Sequence, residues 1–282
     1  MAFDRSRLRG LKRLAVYRYL AMPRRALFGG RYVFSSVPGW AKWIFTSREE
    51  SNFTYDLTDG NLLYLAHMLA TVTNTTPLDA ARYIEELRTD RELADYLLEH
   101  MRNSEFRSVS DNRIGYSRRL GWYALVRLLK PRVVIETGVD KGLGAVVLCA
   151  ALRRNIAEGY PGKYYGTDIV PTAGWLLKPP YSDAGRVLVG DSIESLGALT
   201  EEVDLFINDS DHSADYEARE YETILPKMSA AGVILGDNAH VTPKLAEFSL
   251  RHGRAFTFFK EEPLDHWYPG GGIGISYPAS SR

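Results

Sequence analysis

A chain of 282 residues, 45% hydrophobic and 25% charged, can bury a core large enough for an α/β domain with a smaller accessory region, which excludes a disordered chain and a stapled miniature. Its single cysteine, Cys149, cannot close an internal disulfide or build a cysteine-based zinc site, so a cytoplasmic chain is expected. The net charge of zero hides an asymmetry: residues 1–31 carry nine Arg or Lys against one acid, Asp4, leaving 26 basic against 34 acidic residues beyond them.

An acidic body repels phosphates, so nucleic acid is not an expected partner. No run of 18 apolar residues is present to form a spanning helix. Leu8, Leu11, Leu14, Ala15 and Leu20 partly line one side of a helix, which suits either packing of the basic arm or peripheral contact with a membrane surface.

Beyond the arm, Gly29-Gly30, Pro38-Gly39 and the polar stretch 46–52 predict a loop-rich region over residues 23–59. Apolar periodicity predicts a helix over 62–72. A second helical run, reaching Leu98, starts at Thr76-Pro77, where the hydroxyl caps free backbone N–H groups and proline takes the first helical position. Residues 1–104 therefore read as a basic arm and a helical N-terminal module.

From residue 105 the pattern becomes α/β. A helix is expected over 120–129, where Trp122 and Tyr123 should pack the core, and Pro131 ends it. Strands are expected over 133–135, 164–168, 187–189, 204–207 and 232–235, with helices over 142–154 and 216–225. Short apolar strands alternating with helices predict a parallel sheet covered on both faces, closed by an antiparallel pair over 255–259 and 272–276. The Gly270-Gly271-Gly272 run lacks a phosphate-loop ending and reads as a turn before the last strand. In such sheets ligands bind outside the carboxyl ends of the strands.

Those ends carry the chemistry. The first is Glu136-Thr-Gly138, followed by Gly142 and Gly144, a glycine loop that lets the backbone approach a ligand and turn into a helix. Its spacing, G-x-x-x-G-x-G, is not the dinucleotide G-x-G-x-x-G, and Glu136 suits a ligand bearing ammonium and sulfonium charge better than a pyrophosphate. The second ends in Asp168, placed to accept the hydroxyls of a ribose, and the third in Asp191-Ser192, placed near an adenine edge. Each alone reads equally well as a helix cap or turn residue. The fourth ends in Asp209-Ser210-Asp211-His212 and the fifth in Asp237-Asn238; two carboxylates and an amide carbonyl are hard oxygen ligands suited to magnesium or a similar divalent cation.

In order and spacing these motifs, over residues 110–277, resemble the class I S-adenosylmethionine-dependent O-methyltransferases of the metal-dependent branch, which includes catechol, caffeoyl-coenzyme A and macrolide-sugar methyltransferases. The resemblance implies a Rossmann-like, seven-stranded, mostly parallel sheet with an antiparallel last strand, and an S-adenosylmethionine-binding catalytic domain over 105–282. It implies that Glu136, Gly138 and Gly142 hold the methionine part of S-adenosyl-L-methionine, Asp168 the ribose, and Asp191 and Ser192 the adenine side, with Asp211 approaching the cofactor. It assigns Mg2+ to Asp209, Asp237 and Asn238, and the general base to His212. The expected acceptor is a hydroxyl of a sugar, glycoside or natural product, with a catechol-type phenol as the alternative. A nicotinamide oxidoreductase and a non-catalytic cofactor-binding scaffold are the remaining alternatives. Trp267 and Tyr268 could line an acceptor pocket, Tyr116 and Ser117 could close over the cofactor, and the helical module would suit a homo-oligomer.

Overall fold

The computed structural model describes residues 16–49, 54–110, 112–211 and 213–279. The chain divides into two units, Met1–Ser47 with Asp265–Tyr268, and Arg48–Leu264 with Pro269–Arg282.

The first unit is helical: α1 (Tyr17–Leu20), α2 (Met22–Val33) and α3 (Val37–Thr46). The expected loop over 23–59 is thus corrected for residues 23–46, because the glycines and prolines there occupy positions a helix tolerates, while 47–49, 54–55 and 58 have no regular structure, as expected. Pro23 and Pro38 fall in first turns, where the missing N–H has no helical partner to lose, and a side chain at Gly29 would meet open space. The Trp267 ring packs in this unit against Trp43, with centroids 5.2 Å apart.

In the second unit, β1 (Asp56–Leu57) precedes α4 (Asp59–Thr73), α5 (Pro77–Arg88) and α6 (Arg91–Arg102). The predicted cap is present: Thr76 Oγ1 accepts from Asp79 N at 3.1 Å, with Pro77 in the first turn. The single run expected through Leu98 is two helices, because Asp90 starts a new one by accepting from Leu93 N at 3.0 Å. These helices pack in the same unit as the sheet, α4 and α5 both against α7 (Arg119–Leu129), whereas composition grouped them with the basic arm.

The sheet follows: β2 (Val133–Thr137), α8 (Leu143–Ala157), β3 (Lys163–Asp168), β4 (Gly185–Val189), α9 (Ser192–Ala198), β5 (Val203–Asn208), α10 (Ala214–Ile224), β6 (Met228–Gly236), α11 (Lys244–Arg251), β7 (Ala255–Lys260), the short β8 (Pro263–Leu264) and β9 (Gly272–Tyr277). Its order is β4-β3-β2-β5-β6-β9-β7, with β9 antiparallel to both neighbours and the first five strands parallel, the architecture expected from the sequence. β1 and β8 form a separate antiparallel pair. Val133, Ile135, Phe206, Ile234, Tyr221 and Phe248 form one buried cluster; Trp122, Tyr123 and Cys149 are fully buried in α7 and α8, as expected.

Because β2 has β3 on one side and β5 on the other, chain direction across the sheet reverses between β2 and β5, and a crevice opens there at the carboxyl edge. Read across that edge, the strand-end acids stand in the order Asp191, Asp168, Glu136, Asp209, Asp237, a row of about 19 Å at ordinary strand spacing.

Candidate active site

A cavity of about 720 Å³ lies over this edge. Seven of the expected residues line it: Glu136, Gly138, Asp168, Asp191, Ser192, Asp209 and Asp211. Gly142 stands just outside, between the lining residues Lys141 and Leu143. Asp237 and Asn238 are fully buried and do not face the cavity, and Tyr116 and Ser117 are buried rather than closing over it. His212 lies outside the described residues.

The glycine loop is built by close approach. Gly138 has φ +81°, and a Cβ there would stand 2.1 Å from the Asp209 carbonyl oxygen. The two strand ends are stitched by Gly138 N donating to Thr167 O and Asp209 N donating to Thr137 O, each at 2.9 Å. Gly142, at φ +95°, forms the turn into α8 and presses on Gly174.

Asp168 braces that loop. Its Oδ2 accepts from Val139 N and Asp140 N, both at 2.9 Å, and its Oδ1 accepts from Val170 N at 2.8 Å. Three main-chain donors fix the carboxylate at the cavity wall, where it presents unused acceptor capacity. Asp191 combines both readings the sequence allowed. Its Oδ1 caps α9 by accepting from Glu194 N at 3.1 Å, its Oδ2 accepts from Tyr216 Oη at 2.9 Å, and it lines the cavity. The Glu194 N–H is the main reason its pKa lies below the usual carboxylate value.

Glu136 is fully buried, receives the Tyr164 hydroxyl, and has its carboxyl pushed up to about 8, chiefly by burial; Tyr164 and Arg119 act in the opposite direction. Gly144 makes room for it, since a Cβ there would stand 2.3 Å from Glu136 Oε1.

At the other end, Arg118 sets the electrostatics. Its Nε and Nη2 donate to Asp237 Oδ1 and Oδ2 in a two-pronged fork, its Nη1 lies 3.5 Å from Glu261 Oε2, and its backbone N donates to Glu261 Oε1 at 2.7 Å. Glu261 is itself fixed by Tyr55 Oη at 2.9 Å and Gly271 N at 3.1 Å. Burial alone would raise the Asp237 carboxyl, but the Arg118 charge holds it low; Asp209 is raised by burial and by Asp237 beside it. The donor set expected for Mg2+ therefore does not fit one as it stands. Both Asp237 oxygens are taken by a guanidinium, and Asn238 does not reach the cavity. Among the described residues no group of three or more His, Cys, Asp or Glu gathers to hold a metal.

Sequence reasoning missed Arg118 and Glu261, and also Glu217 and Glu220 of α10. Glu220 is buried and accepts from Ser192 Oγ, Asn208 Nδ2 and Ser210 Oγ, tying the ends of β4 and β5 together. Glu217 accepts from Tyr221 Oη at 2.6 Å and from Thr242 Oγ1. Their i, i+3 spacing on an otherwise polar helix gave no sign of burial.

Residues 135–239, which contain this row of acids, match the family model described as a methyltransferase domain. A protein from Klebsiella pneumoniae described as an O-methyltransferase superposes with a TM-score of 0.52 at 15% identity, covering 70% of this chain and 94% of that one. The O-methyltransferase from Bacillus cereus, solved with S-adenosylhomocysteine, gives 0.51 at 13% identity, covering 70% and 96%. No curated protein matches the sequence. The chain has the Rossmann-like methyltransferase fold. The cavity lies at the strand ends of the segment 135–239 that matches this model.

Proposed function

We propose that the chain is an S-adenosylmethionine-dependent O-methyltransferase whose acceptor is a hydroxyl of a sugar, glycoside or natural product. The observation that carries this reading is Glu136, a buried acid at the end of β2 that opens on the cavity between Gly138 and Asp168. A buried carboxyl there favours a cationic donor and penalises a pyrophosphate, which argues against the nicotinamide alternative. The Bacillus cereus relative, with its bound S-adenosylhomocysteine, supports the same choice.

Bound S-adenosylmethionine supplies a methyl group on a sulfonium: the S–CH3 bond breaks with its electron pair left on sulfur as the new O–CH3 bond forms. The protein's part is to align donor and acceptor and to take the hydroxyl proton. Asp191 and Ser192 would receive the adenine side, Asp168 the ribose and Glu136 the cationic methionine end. His212, next to the cavity-lining Asp211 in sequence, would accept the proton, since an unperturbed imidazole titrates near 6.5. Asp209 lines the acceptor end.

Calorimetric titration of the full chain tests this: S-adenosylmethionine binds one-to-one and NAD does not. Binding of NAD alone would sink the proposal. With an acceptor from a glycoside panel, His212→Ala lowers turnover by about 100-fold and leaves donor affinity unchanged; an unchanged rate removes His212 from the mechanism.

For peripheral membrane contact, the support is in the first unit. Residues 16–47 hold Arg18, Arg24, Arg25, Arg31 and Lys42 and no acid, while Leu27, Phe28, Tyr32, Phe34 and Phe45 are exposed. Cationic charge beside exposed aromatic and aliphatic side chains matches an anionic bilayer surface. The chain should co-sediment with phosphatidylglycerol vesicles, release at high salt, and ignore pure phosphatidylcholine. Equal binding to both vesicles would contradict an electrostatic contact. No helix among the described residues is long and apolar enough to cross a membrane.

A further inference from the structure

Arg118 immediately precedes α7, and its side chain enters the cavity wall next to Asp209. Three features make it a built element rather than a surface arginine. Its fork engages both oxygens of Asp237, a residue with no exposed surface. Its backbone N and its Nη1 both face the buried Glu261, so the guanidinium is held from the ends of two strands, β6 and β7. Glu261 is held in turn by Tyr55 and Gly271.

This geometry leaves no room for a hard divalent ion at the same carboxylate. Such an ion needs six or so oxygen ligands at short distance, and the guanidinium already stands against both Asp237 oxygens with the positive charge that the ion would bring. To enter, the ion would have to expel from Asp237 a guanidinium that stays charged at every accessible pH and sits in a mostly buried place. Arg118 still presents N–H bonds beyond those given to Asp237, on a side chain that borders the cavity. A planar, fixed cation with spare donors can receive a hydroxyl oxygen and stabilise the negative charge that develops on it as its proton leaves.

We propose that the Arg118 guanidinium is a resident cation standing where the resembled enzymes place a divalent metal, so that this chain receives and orients its acceptor hydroxyl without a metal ion. The inference rests on the methyl-transfer reading for the identity of the acceptor, but not for its test. The full chain, stripped with EDTA, is titrated with Mn2+ alone, and free Mn2+ is followed by electron paramagnetic resonance. The native protein should leave the free-ion signal at its buffer value, and its affinity for S-adenosylmethionine should change less than about twofold in EDTA. Arg118→Met, which uncovers Asp237, should gain one Mn2+ site that Arg118→Met with Asp237→Asn loses again. Arg118→Gln serves if the methionine variant does not fold.

A one-to-one Mn2+ site in the native chain that Asp237→Asn abolishes would overturn the proposal. So would a folded Arg118→Met or Arg118→Gln that binds no Mn2+, since the guanidinium would then not be covering a metal's place. Failure to bind S-adenosylmethionine would count against the methyltransferase reading and leave the Mn2+ result standing, so the two failures are separable.

Discussion

Glu136→Gln should bind S-adenosylmethionine about ten- to a hundredfold more weakly than the native chain, the loss expected when a charge-assisted contact becomes a neutral one. The same variant should melt at a higher temperature at pH 8. Both effects have one cause: burial pushes the Glu136 carboxyl from 4.5 up to about 8. The folded chain therefore keeps this proton through a pH range in which the unfolded chain releases it. Stability from this group is fully present below pH 4.5, falls as pH rises through the window, and is flat above about pH 8. The full span is on the order of 5 kcal/mol. Glutamine has the same shape and does not titrate, so the variant should lose this slope, matching the native chain near pH 5 and exceeding it at pH 8. A cationic ligand draws the native carboxyl into its ionised form, so donor binding at pH 7 should release about 0.9 of a proton. Calorimetry in buffers of different ionisation heat reads that release, and melting curves from pH 4 to 9 read the slope. A variant with native donor affinity and an unchanged slope would remove Glu136 from the cofactor site.

The second large effect is Gly138→Ala. A methyl group there would stand 2.1 Å from the Asp209 carbonyl oxygen and 2.7 Å from Ser210 Cα, both main-chain atoms that cannot rotate away. The backbone is also left-handed, at φ +81°. The variant should lose about 3 kcal/mol or more, seen as a drop in melting temperature of about 6–12 °C, and donor binding should fall below detection because β2 and β5 are forced apart at the crevice. Gly159 is the control: it is equally left-handed, at φ +89°, with nothing within 4 Å of the added carbon. Gly159→Ala should cost only about 1 kcal/mol and leave binding intact. Equal costs at the two positions would mean that backbone handedness, not the approach to Asp209, sets the requirement.

These two residues were visible in the sequence, and the reason is local. Short apolar strands such as Val133–Ile135 stop at an acid or a glycine, and a parallel sheet puts those stops along one edge; Glu136, Gly138, Asp168, Asp191 and Asp209 could therefore be named from spacing alone. Arg118 could not. Its partner Asp237 lies 119 residues away, and nothing in Ser117-Arg118-Arg119 distinguishes a buried fork from an exposed basic pair. The Mg2+ expectation did not anticipate it for that reason: the strand-end acids were legible and the guanidinium paired with one of them was not. Glu217 and Glu220 were hidden by the opposite bias, since acids on a polar helix are normally solvated. In the first unit, Gly29-Gly30 and Pro38 suggested breaks because composition does not say whether a glycine lies mid-helix or a proline in a first turn.

Glu220 has a bearing on any effort to make this chain accept an altered donor. By holding Ser192 on one side and Asn208 with Ser210 on the other, it joins the wall that would receive the nucleobase in the proposed reading to the end of β5, beside the proposed acceptor end. Enlarging the pocket at Ser192 to admit a modified purine would free one arm of that carboxylate and let the neighbouring floor relax. If the methyl-transfer reading holds, a redesign for bulky donor analogues would have to change positions 192 and 220 together, because one carboxylate ties the ends of β4 and β5.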